Sequence, residues 1–121
     1  MLHADHRLTR PSTFRHAVKA GRRSGARTLV THLAVADPQS GSAPRVGFVV
    51  SKAVGPAVVR NRVKRRLRHA AAARIPLLPR DTLLVVRAQP AAAAASYEEL
   101  VGDLDRCLER SLMTGSGRVD R

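Results

Sequence analysis

Apolar positions recur along this chain with two different periods. In residues 28–36, Leu29, Thr31, Leu33 and Val35 alternate with Val30, His32 and Ala34, and the β-branched residues among them favour an extended strand. Residues 46–51 and 82–88 are short apolar runs of the length a buried strand takes. Elsewhere the period is helical. Phe14, Ala17 and Val18 share one face of a short helix that Ser12 or Thr13 can cap and Gly21 can end. Val59, Val63, Leu67 and Ala70 form a stripe on a second helix, expected to start with Pro56 in its first turn and to stop near Ile75, before the proline-bounded segment 76–79. Tyr97, Leu100, Val101, Leu104, Leu108 and Leu112 form a third stripe, opened by a Ser96–Glu99 capping box.

Between these elements, 22–25 reads as a basic loop, 37–44 as a turn and the alanine run 91–95 as a linker. A further strand is expected within 22–36 or 37–44. The pattern predicts an α+β fold, a two-layer sandwich, with one domain over 11–113 and flexible ends at 1–10 and 114–121.

With 121 residues there is room for one modest core. The formal net charge of +13 changes the picture, because the signs are separated along the chain. No acidic residue stands between Asp5 and Asp37, or between Asp37 and Asp81, whereas the carboxylates after Asp81 share the last stretch with only a few cations. A basic field of this kind attracts polyanions. Other classes fall away. The single cysteine, Cys107, cannot build a disulfide framework or a zinc cluster within one chain, and its place on the third stripe points to packing. No apolar run approaches a membrane span, and the start of the chain lacks the apolar core of a signal peptide, so the cytoplasm is the expected compartment. Phe14, Phe48 and Tyr97 are too few for a base-stacking sheet, which leaves phosphate contact and shape to carry affinity.

The candidate chemistry lies in the second helix. Opposite its valine–leucine stripe stand Asn61, Lys64, Arg65 and Arg68, with Arg60, Arg62 and Arg66 on the flanks. Arginine forks match phosphate oxygens, and Asn61 can pair with a base edge or a ribose. An ordinary solvated face would alternate its signs, and this one does not. Nucleic-acid binding is therefore the reading of the 11–113 domain. Hydrolysis of a phosphodiester by two metals needs clustered carboxylates, and none stands near this helix in sequence; Asp37 and Asp81 sit at turn-like positions. His3, His6, His16, His32 and His69 show no ligand spacing. Two other readings stay open, a ribosomal or ribosome-assembly protein and an enzyme that seats a polyphosphate on the helix start at 55–57.

The string from Ser51 through Gly55 and Arg60-Asn61-Arg62 to Lys64-Arg65 and Arg68 resembles the signature of the bacterial ribonuclease P protein subunit. The likeness extends to Phe14, Val18 and Gly21, to 45–52 and to 81–87, and so spans roughly 7–113. The resemblance implies the order α-β-β-β-α-β-α with a left-handed βαβ crossover, against the general right-handed rule. It implies no catalytic residue in the protein. The expected partners are the ribonuclease P RNA, one to one, and precursor tRNA, with no membrane and no obligate protein partner. Mg²⁺ is expected on the RNA and substrate and none on the protein alone. RNA contact is expected from Arg60, Asn61, Arg62, Lys64, Arg65, Arg66 and Arg68. A cleft for the 5′ leader is expected at Phe14, Val18, Val30, His32 and Lys52. In this chain Val18 and His32 replace aromatics common in the family.

Overall fold

The computed structural model describes residues 6–8, 11–35 and 43–117. In chain order the elements are α1 (Pro11–Ala20), β1 (Arg22–Gly25), β2 (Leu29–Val35), β3 (Arg45–Val49), α2 (Ala57–Ala72), β4 (Thr82–Ala88) and α3 (Tyr97–Gly117), with short 3₁₀ turns at Ile75–Leu77 and Pro90–Ala93. The α-β-β-β-α-β-α order and the α+β class are those expected. The four strands form one mixed sheet in the order β1-β2-β4-β3, antiparallel except where β3 runs parallel to β4. The parallel pair requires a crossover, and α2 supplies it.

β4 lies between β2 and β3, and its register explains why its sequence is an unbroken apolar run. Leu84, Val86 and Ala88 face the larger core, where they meet Val63, Leu67, Ala70 and Ala71 of α2 and Leu100, Leu104, Cys107 and Leu108 of α3. Leu83 and Val85 point to the opposite face, where they join Leu8, Ala34 and Ala17 beneath α1. A strand buried on both sides reads as continuous rather than alternating. The sheet and the α2–α3 layer thus form the body of the sandwich, and α1 lies across part of the second face.

Several local expectations shift. The basic stretch 22–25 is a strand, pairing Arg22 with Leu33 through to Gly25 with Val30. It is the further strand anticipated within 22–36, and its composition hid it because Arg, Ser and Gly have little intrinsic preference for strands. α1 begins at Pro11, so Ser12 and Thr13 sit inside its first turn. Pro56 is the cap residue of α2 rather than its first helical residue, and α2 ends at Ala72, ahead of Pro76. The capping box of α3 is present, with Ser96 N–H donating to Glu99 Oε1 at 2.8 Å and Glu99 N–H to Ser96 Oγ at 3.1 Å.

Parts of the two end segments are described. Leu8 is buried and donates its N–H to the Val46 carbonyl at 2.9 Å, because β3 is an edge strand whose free backbone groups recruit a neighbour. α3 continues to Gly117, beyond the boundary at 113. The other residues of 1–10, most of the 37–44 turn and the end of the tail lie outside the described residues.

One buried contact was not anticipated. Asp103 on α3 is 5% exposed and accepts two hydrogen bonds from Thr28, from its N–H at 3.0 Å and its hydroxyl at 2.6 Å. Arg106 also reaches this carboxylate. Burial works to raise the Asp103 pKa, but the Thr28 bonds and Arg106 outweigh it and hold the carboxyl below its ordinary range. The pair fixes α3 to the entry of β2.

Candidate nucleic-acid interface

α2 emerges from a tight turn in which Gly55 has φ +154°, a conformation closed to side chains with a β-carbon. A β-carbon at Gly55 would also stand 3.1 Å from Val59. The helix buries Val63, Leu67, Ala70 and Ala71, close to the predicted stripe, while Val59 is only partly covered. Asn61, Arg65 and Arg68 are exposed on the other side and Lys64 is half-buried. The described ion pairs join Arg27 to Glu99, Arg74 to Asp105 and Arg106 to Asp103. Among the described residues, no cation from Arg60 to Arg68 is paired with a carboxylate.

The seven residues of this helix expected to contact RNA do not all point outward, however. Arg62 donates to the Ala93 carbonyl at 2.9 Å and Arg66 to the Ala95 carbonyl at 3.1 Å. Arg60 Nε donates back to the Gly55 carbonyl at 3.1 Å. Arg62 Nε is buried with no hydrogen-bond partner among the described residues. The 91–95 segment is consequently not a free linker: Ala92 and Ala95 are buried, and two arginines of α2 hold its carbonyls. Alanine leaves the backbone carbonyls open to such donors, and no sequence period records that.

Of the residues expected to form a cleft, Phe14, Val18, Val30 and His32 lie on the second face of the sheet. Phe14 and Val18 of α1 pack with Val49 against the smaller core. Val30 and His32 lie on the same face of β2 as Ala34, facing Arg87 and Val85 respectively on β4. Lys52 is exposed in the turn just beyond β3. Gly47 on β3 makes room for the Phe14 ring: a β-carbon there would fall 2.2 Å from Phe14 Cζ. Gly47→Ala is therefore expected to displace the ring and lower the melting temperature of the protein, by an overpacking cost of about 1–3 kcal/mol. A melting curve matching the parent's would show that the Phe14 ring yields freely.

His32 is 7% exposed, and its Nδ1 has no hydrogen-bond partner among the described residues. Burial first, then the nearby Arg87 and Arg23, push its pKa below the ordinary value, so the imidazole is held neutral. Arg23 pairs with His32 across β1–β2, and Arg87 pairs with Val30 and Val49. These two arginines lie beside His32 and Val30 on the sheet and are not singled out by the sequence pattern. The sheet register, rather than any period along the chain, puts them there. Arg7 and Phe48 are further residues that sequence reasoning misses. They line a groove with Phe14, Lys64 and Arg68, which places the α1 aromatic beside the basic helix.

Comparison with known proteins bears on this arrangement. The family model for Ribonuclease P matches residues 2–112. The chain belongs to that family. It is 57% identical to the ribonuclease P protein component of a Nocardioides species over 91% of this chain and 94% of that one. It is 52% identical to the ribonuclease P protein component of Streptomyces avermitilis over 96% and 99%. The solved structure of the Staphylococcus aureus RNase P protein superposes with a TM-score of 0.74 at 23% identity, covering 86% of this chain and 93% of that one. At that identity the match bears on the fold, including the strand order and helix arrangement. Membership makes the chain a protein component of a ribonucleoprotein endonuclease of tRNA processing and implies an RNA partner. No described helix is long and apolar enough to cross a membrane.

Proposed function

We propose that the chain binds the catalytic RNA of ribonuclease P, one copy to one RNA, and holds the 5′ leader of precursor tRNA, assisting Mg²⁺-dependent removal of that leader. The observation that carries this reading is the exposed face of α2, where Asn61, Lys64, Arg65 and Arg68 stand clear of any described carboxylate. This face takes the RNA subunit. The second face of the sheet takes the leader: Phe14 and Val18 offer apolar contact, Val30 and neutral His32 form the floor, and Lys52, Arg23 and Arg87 offer charge to the phosphates. A single strand suits this site because its bases are free of pairing.

The described carboxylates do not fit a resident metal. Asp103 is occupied by Thr28 and Arg106, Asp105 by Arg74, and no three described His, Cys, Asp or Glu residues come together. We therefore assign Mg²⁺ to the RNA and substrate, and the chemistry to the RNA. The cations of the protein reduce phosphate repulsion where metal is scarce. We assign the chain to the cytoplasm, where precursor tRNA arises.

Reconstitution tests the reading. The RNA-free protein is expected to leave precursor tRNA intact with any divalent metal. Adding it to a bacterial ribonuclease P RNA at a few millimolar Mg²⁺ is expected to raise cleavage at the mature 5′ end. Cleavage by RNA-free protein, or no stimulation at low Mg²⁺, overturns it.

A further inference from the structure

Tyr97 and His69 meet edge to face where α3 starts beside α2, with ring centroids 5.7 Å apart and planes inclined at 61°. With Arg65 and Arg66 they line an open, mainly apolar groove of about 410 Å³. Two of its four members, Tyr97 and Arg66, are held in place. The capping box fixes the first residue of α3 and hence the Tyr97 backbone. Tyr97 is partly buried and packs against the main core. Arg66, which also lines the groove, is tied to the Ala95 carbonyl at 3.1 Å. His69 and Arg65 are exposed.

The electrostatics are one-sided. Glu98 and Glu99 follow Tyr97 in sequence but line a different groove, with Arg27, Gly102 and Arg106. No carboxylate lines the Tyr97 groove among the described residues. Core packing accounts for the covered side of Tyr97 but not for an exposed imidazole set against it between two arginines. Phosphate contact alone accounts for Arg65 but not for the rings. Aromatic faces beside guanidinium groups suit a flat, polarisable group carried on an anionic chain.

We propose that this groove receives one unpaired nucleobase of the RNA partner, stacked on the Tyr97–His69 pair, with Arg65 on the adjoining phosphate. The proposal rests on the reading that α2 grips RNA, and adds a stacking contact to the phosphate contacts along the rest of the helix. The base must be unpaired, since bases within a duplex already cover both faces with their neighbours.

Tyr97 is the only tyrosine in the chain, which has no tryptophan, so intrinsic emission reports on this groove directly. Titrating the full chain with ribonuclease P RNA, corrected for RNA absorbance, is expected to quench that emission. Tyr97→Leu keeps apolar bulk but not the stacking face, and is expected to bind that RNA about tenfold more weakly with an unchanged salt slope. Tyr97→Phe is expected to bind like the parent. His69→Ala, which alters only an exposed side chain, is expected to weaken binding in the same direction and decides the matter should Tyr97→Leu not fold. Unquenched emission at saturation, with parental affinity for His69→Ala, overturns the stacking site. If that result coincides with weak binding by a variant lacking Lys64, Arg65 and Arg68, the reading of α2 survives while the nucleobase proposal fails. If that triple variant keeps both its affinity and its salt dependence, both fail.

Discussion

Replacing Lys64, Arg65 and Arg68 together by alanine is expected to reduce the log–log salt slope of binding to ribonuclease P RNA by about 2 to 3, at about 0.7–0.9 for each phosphate no longer neutralised. Affinity should fall most steeply at low salt, where counterion release contributes most. Alanine favours the helix and these side chains are not in the core, so circular dichroism and melting temperature should stay near the parental values. Arg62→Ala and Arg66→Ala provide the contrast. Their guanidinium groups hold the carbonyls of Ala93 and Ala95, so their removal should lower the melting temperature by leaving those carbonyls without their donors. Their effect on the salt slope should be the smaller one. A parental slope in a folded triple variant would mean that this face is merely solvated.

Asp103→Ala is expected to destabilise the protein by about 2–4 kcal/mol, because it strands the buried N–H and hydroxyl of Thr28. Chemical denaturation should show the effect at neutral pH, with a smaller one for Asp103→Asn, which keeps an oxygen for Thr28. The pH dependence has a definite sign. The folded pKa of Asp103 lies below 3.8, its ordinary value, so its contribution is complete above 3.8 and disappears as pH falls through the folded value. His32 acts earlier and in the same sense. Its folded pKa lies below 6.5, so from about that pH downward the unfolded chain takes up a proton that the folded chain resists. The parent should therefore lose stability first as pH drops below 6.5 and again below 3.8. The Asp103→Ala variant should show a smaller second phase, the remainder coming from Asp105, whose carboxyl the Arg74 hydrogen bond likewise holds below its ordinary value. A variant with the stability and both acid phases of the parent would remove Asp103 from the contacts that hold α3 to the sheet.

The elements with strong periods are legible in the amino-acid sequence alone. The apolar stripe of α2 follows from residues three and four apart, and three of its four members are the buried ones. The Ser96–Glu99 box follows from two residues, since both halves of the motif lie within one turn. The strand at 22–25 is not legible as such, because its pairing with β2 overrides its composition. The direction of Arg62 and Arg66 is not legible either. Helical phase puts them on the flanks of α2, but the carbonyls that draw them inward belong to a segment about thirty residues later.

The cleft divides in the same way. Phe14, Val18, Val30, His32 and Lys52 follow from family resemblance, whereas Arg23 and Arg87 beside them emerge only from the sheet register. By itself, then, the sequence determined the α+β class, the charge separation, the order of the elements with strong periods and which side of α2 is buried. All of these follow from interactions a few residues long or from the sum of charges. Only the tertiary structure decided which cations remain free, that Gly47 seats the Phe14 ring, that Asp103 reaches Thr28, and that Tyr97 meets His69 between two arginines. Those contacts join residues about thirty or more positions apart, with the Tyr97–His69 pair close to that limit. Their geometry is set by how the sheet and helices pack, which no local period encodes.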